Sequence, residues 1–165
     1  MSDPLRRSAR VLLLSSTDRV LLLQFRFDPA DAAKGHGWAT PGGGVQDGEP
    51  LAQAATRELH EEVGLKVSPE VLGDPVAYTS GFADLGWASG IFRDEFFAHR
   101  VDDHEVDTSG MEDHERGYHA GHRWWTVDEL ATTTETVYPF GLADLVERLL
   151  TEGTPAQPVQ LPWHH

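Results

Sequence analysis

The chain has 165 residues, 39% hydrophobic and 24% charged, with 13 basic against 27 acidic side chains and a net charge of −14. That length and balance describe one globular domain with room for a core, and exclude a disordered or fibrous chain. The absence of cysteine excludes disulfides, thiolate metal sites and cysteine nucleophiles, and the acidic balance argues against nucleic-acid polymers and anionic membranes as partners.

The first apolar run, Val11-Leu12-Leu13-Leu14, is cut short by Ser15, Ser16 and Asp18. It is too brief for a signal peptide or a spanning helix, so a cytoplasmic location is expected. Residues 10–15 and 20–27 read as two strands of a hairpin around the polar turn 16–19. Residues 28–37 read as a loop and 38–40 as a short extended piece, stopped by Pro41 and three glycines.

A helix follows. Pro50 suits its first position, and Asp47 and Glu49 lie by its positive end. Leu51, Ala55, Leu59 and Val63 recur every four residues as the core-facing stripe, and Gly64 serves as a left-handed cap. Glu58, Glu61 and Glu62 stand at i, i+3 and i+4, on one helical face that opens toward a cleft edge. Three acids so placed repel one another unless a cation sits among them. Mg²⁺ suits the place, because it prefers oxygen ligands, takes few of them from protein and bridges to substrate phosphates.

Beyond the helix, residues 71–78 and 91–101 read as strands joined by a long glycine-containing loop, 79–90. Residues 102–121 are polar and without period, hence a loop. Residues 123–126 read as a strand and 127–130 as a helical turn. Leu142, Leu145, Val146, Leu149 and Leu150 mark a final helix ended by Gly153. The expected domain is 1–152, with 153–165 a proline-containing tail.

Residues 43–65 carry more than a helix. Gly43, five residues, Glu49, seven residues, then Arg57-Glu58-Leu59, Glu61-Glu62 and Gly64-Leu65 resemble the signature of the Nudix hydrolases at every fixed position. The resemblance implies an α/β fold of Nudix type: a mixed, curved sheet between helices, with the signature as a loop–helix–loop. It implies Mg²⁺- or Mn²⁺-dependent hydrolysis of a pyrophosphate bond in a small nucleoside diphosphate derivative. Cleaving such a bond needs neutralised phosphoryl oxygens, an oriented water and a leaving group able to carry charge away.

By the same similarity Glu58 and Glu62 are the principal metal ligands, Glu61 a third, and the Gly42 carbonyl a neutral one. Arg57 is read as an orienter, able to reach Glu61 at i+4 and to fork onto Glu49 across the loop. The general base is either a glutamate of the signature, Glu61, or an acid on a distant loop, where Glu112, Asp113 and Glu115 stand. Glu115 is the first choice. Trp38, Phe82, Trp87 and Tyr118 are candidates for stacking on a base, and Arg26 and Arg93 for phosphate contacts. His99, His104, His114, His119 and His122 match no compact zinc pattern. The rival readings are a non-catalytic nucleotide-sensing domain and a structural Ca²⁺ site; homodimeric assembly is left open.

Overall fold

The computed structural model describes residues 5–86 and 88–164. Its first half comprises β1 (Leu5–Leu14), β2 (Val20–Arg26), β3 (His36–Ala39), β4 (Gly42–Gly44), α1 (Leu51–Val63) and β5 (Ala77–Asp84). The second half adds β6 (Ser89–Arg100), α2 (Asp113–Tyr118), β7 (His119–Trp125), α3 (Val127–Thr132), β8 (Thr136–Tyr138), α4 (Leu142–Glu152) and β9 (Val159–Gln160). The strands join one mixed sheet in the order β8-β3-β2-β1-β6-β5-β9, with β4 attached to β1 and β7 to β2. The pairs β1–β6, β3–β8 and β5–β9 are parallel; the others are antiparallel.

Alternation along β1 explains the layering. Leu12 and Leu14 face a core completed by Phe96, Trp125 and, from α3 and α4, Leu130, Leu142, Leu145 and Val146. Val11 and Leu13 face the opposite core, where α1 supplies Ala54, Ala55, Leu59 and Val63. A strand buried on both faces must be apolar at consecutive positions, which is why 11–14 is an unbroken run. The sheet thus lies between α1 and the α3–α4 pair, the α/β arrangement expected. Among the described residues no helix is long and apolar enough to cross a membrane.

β1 and β2 pair where the hairpin turns, at Leu14 and Val20. Farther along, β1 gives its edge to the segment 41–44 instead: Val11 N–H donates to Pro41 O (2.9 Å) and Ala9 and Arg10 pair with Gly43 and Gly42. The parting of the two strands opens a cleft above α1.

Several elements differ from the sequence reading. Pro50 is the N-cap rather than the first helical residue, its carbonyl accepting from Ala54 N–H. Residues 69–72 form a 3-10 turn, closed by Gly73 at φ 64°, so the strand expected at 71–78 begins only at Ala77. The expected loop 79–90 is instead most of a tight hairpin, with β5 and β6 in register from Ala77–Phe96 to Asp84–Ser89. Ser80 and Gly81 are poor local strand signals; cross-strand pairing and burial override them. Within 102–121, expected to be all loop, residues 113–118 form α2, and β7 begins at His119 by pairing with β2. The final helix α4 ends at Gly153 as the spacing predicts, but the tail beyond it returns to the sheet as β9.

Leu59, fully buried in the α1 core, anchors the helix that carries the acids. Leu59→Ala should lower the free energy of unfolding by about 2–5 kcal/mol, measured by urea denaturation. A loss under about 1 kcal/mol would contradict this packing.

Candidate active site

α1 presents its acids because the stripe Ala55, Leu59 and Val63 fixes its rotation. On the flank next to that stripe Glu58 (6% exposed) and Glu62 (8%) are buried with the core residues. The cap at Gly64 (φ 74°) ends the helix by donating to His60 O (3.1 Å), while Leu65 N–H reaches Leu59 O (3.3 Å).

The glycines of β4 allow close approach. Gly42 sits at φ 150°, and a Cβ there would overlap the Ala9 carbonyl and Arg10. A Cβ on Gly43 would lie 2.5 Å from Glu58 Oε1. The Gly42 N–H donates to Glu62 Oε1 at 2.7 Å, tying the turn to the helix.

Arg57 organises the surroundings. Its Nε and Nη2 fork onto Glu49 at 2.8 and 2.9 Å, Nη2 also donates to Gly44 O (3.0 Å), and Nη1 reaches Glu58 Oε1 (3.0 Å) and Glu61 Oε2 (3.5 Å). A second guanidinium, Arg10, is held on the Thr40 carbonyl at 2.9 Å.

Across the cleft α2 brings Glu115 to the cluster. Carboxylate oxygens of Glu58, Glu61 and Glu115 lie within 4.8 Å of one another, and Glu112, His114 and Glu115 form a neighbouring group of the same kind. Glu62, read from the sequence as a principal ligand, lies deeper and engages the Gly42 N–H. The donor set is all carboxylate oxygen, three groups from two elements, with glycine clearance beside it. That chemistry fits a hard divalent cation.

The electrostatics agree. Burial raises the Glu58 carboxyl above its ordinary value, Arg57 opposing and Glu61 adding. Burial and then the Glu58 charge hold Glu62 well above that range, against Arg10 and the Gly42 N–H. Glu115 is raised by burial first and Glu58 second. Glu49 is lowered by its bonds to Arg57, and Arg57 is raised in turn.

Glu58, Glu62, Glu112 and Glu115 line a cavity of about 690 Å³, whose walls also include Arg10, Gln24, Asp94, Met111, Tyr118 and His119. Its other lining side chains include Phe25, Phe27, Tyr138 and His164. Of the aromatic candidates, Tyr118 lines the cavity. Trp38 does not: it is 7% exposed, packed edge-on against Trp125 at 5.1 Å, with Nε1 donating to Glu135. Phe82 is exposed on the β5–β6 hairpin, away from the cavity walls. Trp87 lies outside the described residues.

Neither arginine proposed for phosphate lines the cavity. Arg26 donates to the His119 and Gly117 carbonyls and so pins the α2–β7 junction, while Arg93 lies 4.1 Å over the Tyr78 ring. The arginines of the cavity are Arg10 and Arg57. Among the described histidines His114 alone falls in a metal-competent group; His104 bonds to Val63 O. Arg10, Asp94, Phe25, Tyr138 and His164 carried no sequence signal, since strand pairing and the returning tail bring them together.

The family model of the NUDIX domain matches residues 4–148. The chain belongs to the NUDIX family. An RNA pyrophosphohydrolase of Novosphingobium aromaticivorans is 44% identical over 62 residues, 38% of this chain and 36% of that protein. The chain therefore spans about a third of that curated relative's length. Among NUDIX-type structures, the MutT protein of Methanosarcina mazei Go1 superposes with a TM-score of 0.63 at 20% identity, covering 94% of this chain and 99% of that one. The E. coli dihydroneopterin triphosphate pyrophosphohydrolase gives 0.60 at 22% identity, covering 86% and 92%. At these identities the likeness is one of fold.

The raised carboxyls have a consequence for stability. Without metal, Glu58, Glu62 and Glu115 hold protons more tightly folded than unfolded, so their contribution is complete below the ordinary carboxylate range and lost as pH rises through their folded values. Glu49, lowered, contributes in the opposite sense, and its share is lost on acidification. His99 and His119, lowered by burial, also gain stability with rising pH, so the difference between variants is the useful readout. In EDTA, Glu62→Gln should melt higher than the wild type at pH 8 by at least about 2 °C, the shift for roughly 1 kcal/mol at this size, with the gap closing toward pH 5. An equal gap at both pH values would refute the assignment of Glu62 as a buried, proton-holding acid.

Proposed function

We propose that this chain is a divalent-metal-dependent hydrolase of the pyrophosphate bond in nucleoside diphosphate derivatives. The observation that carries the reading is the convergence of Glu58, Glu61 and Glu115 to within 4.8 Å, with Glu58 and Glu115 lining the cavity, beside an arginine already committed to Glu49. Family membership supports the same reaction class, and the naming of a relative as an RNA pyrophosphohydrolase supports cleavage between phosphates.

Glu58 and Glu61 would hold Mg²⁺ or Mn²⁺, with Glu62 behind them and the Gly42 carbonyl as a neutral oxygen. The bound ion would neutralise charge on the phosphoryl oxygens and acidify a water. The protein's own groups do the rest. Arg57 keeps the turn clamped to α1, so the acids do not drift when substrate enters. Arg10 adds a second positive charge to the cavity wall beside Arg57, facing the diphosphate among the carboxylates. Glu115, whose carboxyl is raised above its ordinary value by burial and by Glu58, accepts the proton of the attacking water at its carboxylate oxygen. The leaving group departs as a phosphate or nucleotide anion.

The net charge of −14 favours small anions neutralised by metal over long polynucleotides, and a cytoplasmic setting would supply both. The reading is tested by product release from nucleoside di- and triphosphates, sugar nucleotides, dinucleoside polyphosphates and a 5′-triphosphorylated RNA, with Mg²⁺ and with EDTA. Turnover of a small nucleotide that EDTA abolishes is expected, rising from acid to neutral pH as the carboxyls lose their protons. Nucleotide binding with no turnover across the panel would make the chain a sensor instead.

Glu58→Gln, at a proposed metal ligand, should remain folded and lower kcat by orders of magnitude. Glu115→Gln should lower kcat about 10²–10⁴-fold and make the acidic limb of the pH–rate profile less steep, leaving the part due to the metal-binding acids. An unaltered limb would take the general-base role from Glu115.

A further inference from the structure

The segment after α4 is built into the sheet and then into the cavity. Val159 N–H donates to Val76 O (2.9 Å) and Leu161 N–H to Tyr78 O (2.8 Å), and Leu161 is buried in the core (6% exposed). The hydroxyl of Thr79, itself fully buried, donates to Pro162 O at 3.1 Å. Trp163 then lies over Gly81: a Cβ there would overlap the indole, whose Nε1 donates to Phe82 O at 3.1 Å. The indole also stacks on Phe92 at 6.4 Å. From this seat His164 reaches Tyr138, with ring centroids 4.8 Å apart, and joins the cavity wall with Phe25 and Phe27.

We propose that residues 159–164 complete the substrate cavity, and that His164, seated by Trp163, sets its specificity by holding a planar heteroaromatic ring against Phe25, Phe27 and Tyr138. The ring is the nucleobase of a nucleoside diphosphate derivative. Acids and guanidiniums suit the diphosphate at one end of the cavity. The aromatic groups offer π faces and edges, which stack on any flat ring. Trp163 is a positioning residue, acting through His164. The inference rests on the reading that the diphosphate occupies the acidic end.

The test separates the two readings by using nucleosides, which carry no phosphate and need no metal. Adenosine, guanosine, cytidine and uridine are titrated into metal-free protein and followed by NMR, with ribose as the ringless reference. At least one nucleoside should bind saturably and more tightly than ribose. His164→Ala should weaken it about tenfold, the lower part of what one base–aromatic stack contributes, and His164→Phe should restore it. Gly81→Ala, which unseats the indole, should mimic His164→Ala in a protein of unchanged circular dichroism. With a hydrolysed substrate, His164→Ala should raise KM and leave kcat within about twofold. No saturable nucleoside binding, or affinity within about twofold in His164→Ala, overturns the proposal even where hydrolysis is found. Nucleoside binding with these variant effects but no hydrolysis of any diphosphate upholds the ring site and removes the hydrolase reading alone.

Discussion

Two guanidiniums, Arg10 and Arg57, stand among the carboxylates of the cavity wall, and the fork of Arg57 onto Glu49 is the contact on which that arrangement depends. Glu58 and Glu62 are buried on α1 beside Glu61, so the helix carries like charge where solvent cannot screen it well. Arg57 offsets that charge from within the same helix and spends its remaining donors on Glu49 and the Gly44 carbonyl. The bond is therefore both electrostatic and mechanical. A lysine, with one point charge, could not hold two oxygens of Glu49 while reaching Glu58.

The sheet makes room for this cluster by a break in its own regularity. Had β1 and β2 paired along their whole length, the cleft would be filled by a ladder of hydrogen bonds. Instead β4, three glycines long, takes the edge of β1 and lets Glu58 and Glu62 approach backbone that any side chain would block. Polar groups collect there because the strands part, and Arg10, Asp94 and Gln24 line the resulting space. The apolar layers on either face supply the rigidity against which the acids are held.

Elements with a strong local period were legible in the sequence: the first hairpin, α1 with its αL cap, and α4. The fold class followed from the resemblance of the signature to the Nudix family, and the Glu49–Arg57 pairing from the reach of Arg57 across the loop. Elements held by partners distant in sequence were not. β5 lacks apolar alternation at Thr79-Ser80-Gly81 because its burial comes from the tail, which needs a hydroxyl donor at Thr79 and an empty side-chain position at Gly81. α2 buries none of its residues, so it leaves no periodic trace. Trp38 read as a stacking surface because an aromatic residue beside a glycine turn looks the same from sequence whether it faces a ligand or a core.

The sequence by itself determined the acidic helix, its glycine turn and the family, because those depend on residues within one or two helical turns of each other, where spacing dictates geometry. Tertiary structure decided which acids share a space, bringing Glu115 to Glu58 and Glu61 while drawing Glu62 inward. It also decided the cavity's aromatic side, joining Phe25, Tyr138 and His164 from three separate segments. The reason is physical. A helix face is fixed by a local period, whereas a cavity is the space left between elements whose pairing is settled by burial and hydrogen bonds across the whole sheet.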